Sequence, residues 1–266
     1  MRPRLAFCLT TALLLSVVAV GQQVVSPIPQ RDPKAIALIT QAITAAGGPS
    51  AIGAVNDVTA TGNITFYLAG KEVPGTVSVK GRGLGEFRID TTLSDGTVRS
   101  AVVNNGTASS KRADGNVKEL VNQHTDAAGA SYLPYLELAE AVANPLISIT
   151  DLGMVTYEGQ QAHGIRLKTV FSHREDPFGT RAKLSQRDFF FDPASLLVVR
   201  TEDLTITRSN FDPRVPHDVL FSDYRKVDRV LCPFSITETI YHQHTATIQF
   251  NKVSFNGGLS EADFQQ

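Results

Sequence analysis

The chain has 266 residues, of which 42% are hydrophobic and 19% charged, and its formal net charge is −1. This length suits one large domain with a substantial core. Since the sequence shows no basic stripe, nucleic acid and anionic membrane surfaces are poor candidates for partners.

The first 21 residues have the pattern of a secretory signal peptide. Arg2 and Arg4 precede the uncharged, mostly apolar segment Leu5–Val20, and Ala19-Val20-Gly21 supplies small residues at a cleavage site. The alternative interpretation is an uncleaved membrane anchor. A membrane-spanning helix needs roughly 20 residues, however, and the apolar segment is shorter than that. We therefore expect cleavage before Gln22 and an exported, periplasmic protein that is soluble and monomeric.

Cleavage would leave a chain of about 245 residues with a single cysteine, so that no intramolecular disulfide can form. Cys232 lies between apolar neighbours, and we predict a buried, unreactive thiol. Removal of the two N-terminal arginines leaves 23 basic against 26 acidic residues. We interpret residues 22–31, with two prolines, as a linker and residues 32–266 as a single domain.

Two segments have the periodicity of one-sided helices. The first begins at Asp32-Pro33 and ends at Gly47-Gly48-Pro49. Its apolar stripe comprises Ile36, Ile39, Ile43 and Ala46. The second spans Tyr132–Ala143. Its apolar stripe comprises Tyr132, Leu136, Ala139 and Val142. Shorter helical pieces are predicted at residues 50–55 and 117–121.

From Asp57 onward, apolar residues recur with the two-residue period of strands. Val58–Leu68 alternates over eleven residues, which predicts a long strand with one dry face. Further strands are predicted around residues 77–79, 87–89 and 98–102, with Gly- and Asn-rich hairpin turns after residues 82, 93 and 103, and then at residues 146–152, 154–158, 162–171, 219–225, 231–242 and 245–255. Residues 71–75, 172–183 and 201–216 are interpreted as a turn, a loop and a polar connection.

The segment Phe189–Arg200, FFFDPASLLVVR, combines two apolar runs with a central Asp-Pro turn. Pro193 suits the second position of a type I turn, and Asp192 can accept a hydrogen bond from the backbone two residues on. This pattern predicts a β-hairpin whose strands lie against a large apolar mass.

About ten or eleven antiparallel strands and two one-sided helices indicate a mainly β (α+β) protein. An amphipathic sheet of this length must cover its apolar face, which favours curling around the helices. We predict a curved antiparallel sheet that forms an incomplete β-barrel covered by helices.

No spacing typical of a catalytic or phosphate-binding motif occurs in the sequence, and we predict no catalytic residues, metal or cofactor. A metal site at His242 and His244, completed by His217 or Asp223, is conceivable, but the segment also fits a polar hairpin turn. The pair Glu137 and Glu140 resembles a two-carboxylate site, but we interpret both as the solvated face of a helix.

Thirteen phenylalanines follow the predicted cleavage site, and the chain has no tryptophan. They can form a plain Phe-rich core, or part of the dry face can form a pocket for acyl chains. The candidate cavity residues are those on the dry faces of the long strands: Ile64, Phe66, Leu68, Phe87, Ile89, Phe234, Ile236, Ile240, Ile248 and Phe250.

Three segments resemble the periplasmic lipoprotein-carrier family, the LolA-like or outer-membrane lipoprotein-sorting proteins. They are Gly153–Lys168 with YEGQ and HGIRL, Phe190–Leu196 with Arg200, and the segment from Phe221-Ser222-Asp223-Tyr224-Arg225 to the closing Leu259–Phe264. The resemblance covers roughly residues 151–264, whereas the N-terminal half matches in layout alone. It implies a half-barrel with helices as a lid over an apolar cavity that binds lipid acyl chains.

The sequence therefore favours an exported, non-enzymatic carrier or sensor for a lipid or a lipidated protein, with a transient envelope-protein partner as a further possibility. The alternative is an exported structural or envelope-assembly protein whose interior is filled by its own side chains. A hydrolase ranks third, because no nucleophile with a neighbouring base is visible.

Overall fold

The computed structural model describes residues 28–120, 125–207 and 210–266. The predicted signal peptide and most of the predicted linker lie outside these residues. Within the described ranges, no helix has the length and apolar character needed to span a membrane.

One antiparallel sheet forms the body of the molecule, and its described part has thirteen strands. In chain order they are β1 (Asp57–Leu68), β2 (Lys71–Arg82), β3 (Glu86–Leu93), β4 (Val98–Asn104), β5 (Thr107–Arg112), β6 (Val117–Glu119), β7 (Ile147–Tyr157), β8 (Gln160–Thr169), β9 (Arg187–Phe191), β10 (Val198–Thr207), β11 (Asn210–Val227), β12 (Val230–Ile240) and β13 (Gln243–Phe255). The spatial order is β6-β5-β4-β3-β2-β1-β13-β12-β11-β10-β9-β8-β7. Since the end strands β6 and β7 do not pair in the part of the chain that the structure describes, the barrel is incomplete, as predicted.

The helices are α1 (Pro33–Ala45), α2 (Pro49–Gly53), α3 (Tyr135–Ala143) and α4 (Thr180–Leu184). The described residues also include the 3-10 helices Thr125–Ala130 and Glu261–Phe264. The Asp32 side chain accepts a hydrogen bond from the Lys34 amide at the start of α1, which confirms the predicted N-cap. Helices α1, α2 and α3 pack on one another and bury their apolar sides in the core that the sheet surrounds.

Helix α3 buries a different stripe from the predicted one. It begins at Tyr135, and its buried residues are Tyr135, Leu138 and Ala141. The predicted stripe, which includes Tyr132 and Leu136, is partly buried beside the core. The difference arises because the residues before Tyr135 are turns, which changes the face that the helix presents.

The predicted hairpin is formed by β9 and β10. Asp192 Oδ1 accepts hydrogen bonds from the amides of Ala194 at 3.2 Å and Ser195 at 2.6 Å. Leu196 adopts a left-handed conformation with φ 61°, which completes the turn. All five residues of β9 are buried, in agreement with the expected apolar surroundings.

The interpretation of residues 201–216 as a polar connection was wrong. Residues 201–207 belong to β10 and residues 210–216 to β11, which has 18 residues, while residues 208 and 209 lie outside the described residues. Polar side chains here are compatible with a sheet because they are paired across strands: Asp203 accepts a 3.1 Å hydrogen bond from the Arg187 guanidinium on β9. Polarity therefore marked paired strands here and not a loop.

Four smaller predictions also needed correction. Residues 71–75 belong to β2, and the chain turns instead at Ala69 and Gly70, both with positive φ. Residues 117–119 form strand β6, which pairs with β5, and not a helix; residue 121 lies outside the described residues. The predicted loop at 172–183 contains most of α4, and the two strands predicted at 146–152 and 154–158 are the single strand β7, with a bulge near Gly153.

The last residues of the predicted linker are tied to the domain. The Gln30 carbonyl accepts a hydrogen bond from the Ile149 amide. The Arg31 guanidinium donates to four carbonyls at the end of α3 and just beyond it, those of Ala141, Val142, Asn144 and Ile147, at 2.7–3.1 Å. Because the end of a helix carries unpaired carbonyls and partial negative charge, Arg31 acts as the C-terminal cap of α3.

Candidate ligand cavity

A cavity of about 310 Å³ lies on the concave side of the sheet, next to the residues that precede α3. Its apolar wall is formed by side chains at alternate positions of β1, β3, β11, β12 and β13: Ile64, Phe66, Phe87, Ile89, Val219, Ile236, Ala246 and Ile248, with Tyr132 from the turn before α3. The wall follows directly from the two-residue period of the strands, which puts one set of alternate residues on the concave face.

Six of the ten residues proposed from the sequence line this cavity: Ile64, Phe66, Phe87, Ile89, Ile236 and Ile248. Phe234 and Phe250 are buried in the core instead. Leu68 is 42% exposed because it is the last residue of β1, beyond the last position that pairs with β13. Ile240 is partly exposed at the end of β12. Leu68 and Ile240 are therefore poor candidates, and the ligand-binding role of the other residues stays a prediction.

A second, larger space adjoins the cavity. This groove has a volume of about 910 Å³ and lies along β3, β4, β5 and β6. Phe66 and Ile89 line both spaces, so the groove meets the cavity at these two side chains and lies on its β6 side. The outer part of the groove carries charged side chains, among them Arg99 and Arg112.

The opposite wall of the cavity is polar. Arg187 from β9, Asp203 from β10 and His217 from β11 are neighbours in register. Arg187 Nε donates a hydrogen bond to Asp203 Oδ2 at 3.1 Å. His217 Nδ1 lies 2.9 Å from Asp203 Oδ1, and His217 Nε2 lies 2.9 Å from Glu238 Oε1. We call Arg187, Asp203, His217 and Glu238, with Glu137 added below, the charged cluster.

Glu137 joins this cluster from α3. Its carboxylate accepts a hydrogen bond from Arg187 Nη1 at 2.5 Å, and its side chain is only 15% exposed. The prediction that Glu137 belongs to a solvated helix face was therefore wrong. Glu140 lies one turn further along and accepts a hydrogen bond from the Asn144 side chain at 3.0 Å. The two glutamates do not form a paired-carboxylate site.

His217 is held as an imidazolium. Burial of the ring lowers its pKa, but hydrogen bonds to Asp203 and Glu238 and their negative charge outweigh burial and raise the pKa of His217 to about 10. Both ring nitrogens donate to carboxylates in this arrangement. The ring therefore cannot act as a base towards a substrate at neutral pH.

Protonation of His217 is expected to stabilise the fold in a pH-dependent way. The folded pKa of about 10 exceeds the ordinary value of 6.5, so the contribution is complete below about pH 6.5 and disappears as pH rises to about 10. Because Glu238 is partly exposed and its charge is screened, we expect this contribution to the free energy of unfolding to be about 2–3 kcal/mol. Urea unfolding of the wild type and His217→Gln at pH 6, 8 and 10 should show that the difference between their free energies of unfolding becomes smaller as the pH rises. A difference that stays constant would contradict this role of the ring.

The histidines considered for a metal site do not come together. His244 stacks on Tyr67 with ring centroids 3.9 Å apart, whereas His217 belongs to the charged cluster. Asp223 pairs with Arg225. Within the ranges that the structure describes, no group of three or more His, Cys, Asp or Glu side chains could hold a metal ion.

Cys232 is buried, as predicted, and burial raises the pKa of its thiol to about 12. A thiol in this state has very little thiolate at neutral pH, and it does not line the cavity.

The charged cluster is the part of the site that the sequence interpretation missed. Its residues come from four strands and one helix, and the segment that contains Asp203 was interpreted as a connection. One signal was present: Thr201 and Asp203 are two residues apart, directly beyond an apolar strand, and thus lie on one face. That spacing could have indicated a polar patch on the dry side of the sheet.

No protein-family model matches the sequence, and no curated protein matches it. Solved structures do. An outer membrane lipoprotein-sorting protein domain from Vibrio parahaemolyticus aligns with a TM-score of 0.53 over 87% of this chain and 96% of its own, at 14% identity. A DUF1329 family protein from Desulfovibrio piger aligns with a TM-score of 0.55 over 89% of this chain and 98% of its own, at 12% identity. A LolA superfamily protein from Nitrosomonas europaea aligns with a TM-score of 0.54 over 86% of this chain and 96% of its own, at 9% identity.

The chain has a LolA-like fold. The agreement extends over nearly the whole of each of these structures, so it concerns the entire incomplete barrel and not one hairpin. At such low identity, the LolA-like fold is all that the comparison establishes. The cavity, the groove and the charged cluster are features of this chain's own residues.

Proposed function

We propose that the protein is an exported, non-enzymatic carrier or sensor that holds a lipid, or the acyl chain of a lipidated protein, in the cavity. The observation that carries this proposal is the apolar wall of the cavity, which adjoins a larger groove at Phe66 and Ile89. Pockets of about 300–1,000 Å³ are typical of sites that enclose small ligands.

The physical basis is the burial of methylene groups. Each CH₂ group transferred from water to an apolar wall contributes roughly 0.8 kcal/mol, and a flexible chain can follow the curved floor from the cavity into the groove. The LolA-like fold supports the same use, since one neighbour is named as a lipoprotein-sorting protein.

A binding role also suits the chemistry of the cavity better than catalysis. Both nitrogens of His217 are engaged by carboxylates, and the Arg187 guanidinium is bound between Glu137 and Asp203. These charges satisfy one another, which makes the polar wall a fixed boundary of the pocket. A boundary of this kind positions a ligand without reacting with it.

Native mass spectrometry of protein purified without detergent tests the proposal. We expect either co-purified adducts of acyl-chain mass or uptake of one fatty acid per protein, together with saturable binding of a fluorescent fatty acid. If the protein carries no adduct and binds no acyl probe, the interior serves only the fold. In that case a structural or envelope-assembly role becomes the better account.

A further inference from the structure

We propose that the outer end of the groove is a headgroup site for an anionic amphiphile, formed by Arg99, Arg112 and Lys118. We call these three residues the basic rim. The inference rests on the proposed function and adds the charge of the ligand: a carboxylate or phosphate at the rim, with its acyl chain in the groove and cavity.

The strand register brings the basic rim together. Arg99 on β4 lies directly opposite Arg112 on β5, and Ser110 on β5 lies opposite Lys118 on β6. Residues directly opposite one another in antiparallel strands share a face of the sheet. Since Arg99 also lies opposite Thr91 and all four residues Thr91, Arg99, Arg112 and Lys118 line the groove, the rim belongs to the concave, ligand-facing side.

The arrangement is unfavourable for the empty protein. Arg99 and Arg112 are exposed, and like charges placed directly opposite on neighbouring strands destabilise a sheet. Within the described residues, no carboxylate lies within ion-pair distance of any basic rim side chain. Elsewhere on the sheet, by contrast, arginines such as Arg82, Arg166 and Arg200 are paired. A bound anion would relieve the repulsion at the rim.

Two carboxylates also line the groove, and they offset part of its charge. Asp95 accepts a hydrogen bond from the Thr97 amide at 2.8 Å and Asp114 from the Asn116 amide at 3.0 Å, and these bonds, with a smaller contribution from the charges of Arg99 and Arg112, lower the pKa of the two carboxyls. Lys111 borders the groove as well, but its position between Ser110 and Arg112 assigns it to the other face of β5. The three cations of the basic rim therefore face two carboxylates, and the outer groove keeps a positive charge.

Polarity changes along the groove in the order that an amphiphile requires. From the basic rim inward, the groove is lined by Ala101 with Ser110, and then by Ile89, which lies directly opposite Ala101, and by Phe66. Ile89 and Phe66 also line the cavity. A free phosphate would use only the outer end of this gradient, whereas an anionic lipid matches its whole length.

The test compares ligands with the same chain and different headgroups. Hexadecanoic acid, hexadecanol and hexadecyltrimethylammonium are titrated by displacement of a fluorescent fatty acid from the wild type and from a triple variant, Arg99→Gln, Arg112→Gln, Lys118→Gln. We expect the acid to bind the wild type roughly tenfold tighter than the alcohol, because hydrogen bonds to charged groups are stronger than neutral ones. The preference should weaken with added salt and disappear in the triple variant.

A second triple variant, Lys226→Gln, Arg229→Gln, Lys252→Gln, is the matched control. It removes the same charge from exposed positions that line neither space, and its preference for the acid should equal that of the wild type. The basic rim variant should unfold at the same temperature as the wild type or a higher one, since it relieves repulsion. If the basic rim variant is folded and still prefers the acid to the alcohol, the headgroup site is overturned.

The remaining outcomes separate the two proposals. If acid and alcohol bind the wild type equally, the headgroup site is wrong and the acyl cavity stands. If neither binds, the proposed function fails and the headgroup site fails with it. If inorganic phosphate alone binds and is lost in the basic rim variant, while acid and alcohol do not differ, the rim is a simple anion site and the amphiphile assignment is overturned.

Discussion

Phe250→Ala is expected to lower the free energy of unfolding by about 3–5 kcal/mol, whereas Phe66→Ala should lower it by only about 1–2 kcal/mol. Both residues are phenylalanines on the concave faces of adjacent strands, β13 and β1. Phe250 is 2% exposed and packs edge-on against Tyr132, with ring centroids 5.5 Å apart. Phe66 is partly buried and lines both the cavity and the groove.

The difference follows from the number of packing partners. Truncation of a fully enclosed ring leaves a void that the core fills poorly, while a ring with empty space on one side has fewer contacts to lose. Urea unfolding of the two variants measures this difference directly. Equal, large losses at both positions would mean that Phe66 is packed as tightly as the core and that no usable cavity exists.

The same pair separates stability from binding. Phe66→Asp places a charge where water can reach it, so the protein should stay folded and lose affinity for a fluorescent fatty acid. Phe250→Asp buries the charge in the dry core and should prevent folding. A folded Phe66→Asp variant with unchanged affinity would exclude Phe66 from the ligand site.

The fold could be predicted from the sequence because its main determinants are local. The alternation in β1, the turns between β3, β4 and β5, and the Asp192-Pro193 hairpin are each encoded within about a dozen residues. The incomplete barrel then follows from one amphipathic sheet and helices that are apolar on one side. Errors arose where strands are polar, as in β10 and β11, because cross-strand charge pairs are not visible in a linear pattern.

The candidate site was predictable only in its apolar half. Ile64 and Phe66 could be assigned to one face from parity alone, but parity does not show where a strand stops facing the core, as at Leu68. Parity also does not show how deeply a side chain is buried, and burial is what distinguishes Phe250 from Phe66. These properties depend on what packs over each residue, and that is set by distant parts of the chain.

Prediction of the basic rim and the charged cluster would have required knowledge of the register between strands. Arg99, Arg112 and Lys118 are 13 and 6 positions apart in the sequence, where they form no basic stripe, and only the pairing of β4, β5 and β6 assembles them. The charged cluster is more dispersed still, since Glu137 and Glu238 meet it from a helix and a distant strand.

Arg187→Met should destabilise the protein by about 3–5 kcal/mol, the range expected when one partner of a buried ion pair is removed. Arg187 is 8% exposed and is the cation between Glu137 on α3 and Asp203 on β10. Methionine fills a similar volume, so the loss would come from charge and not from a cavity. Without the guanidinium, Glu137 would face a low-dielectric wall with no counter-ion at that position.

The double variant Arg187→Met, Glu137→Leu supplies the control. Since Asp203 keeps its hydrogen bond to His217, removal of both Glu137 and Arg187 should leave fewer unpaired charges than removal of Arg187 alone. We expect the double variant to recover at least about half of the lost free energy of unfolding, as coupled neighbours do in a mutant cycle. Strictly additive losses from Arg187→Met and Glu137→Leu would show that the two side chains are not coupled. Helix α3 would then be held against the sheet by its apolar stripe and by Arg31, not by the ion pair between Arg187 and Glu137.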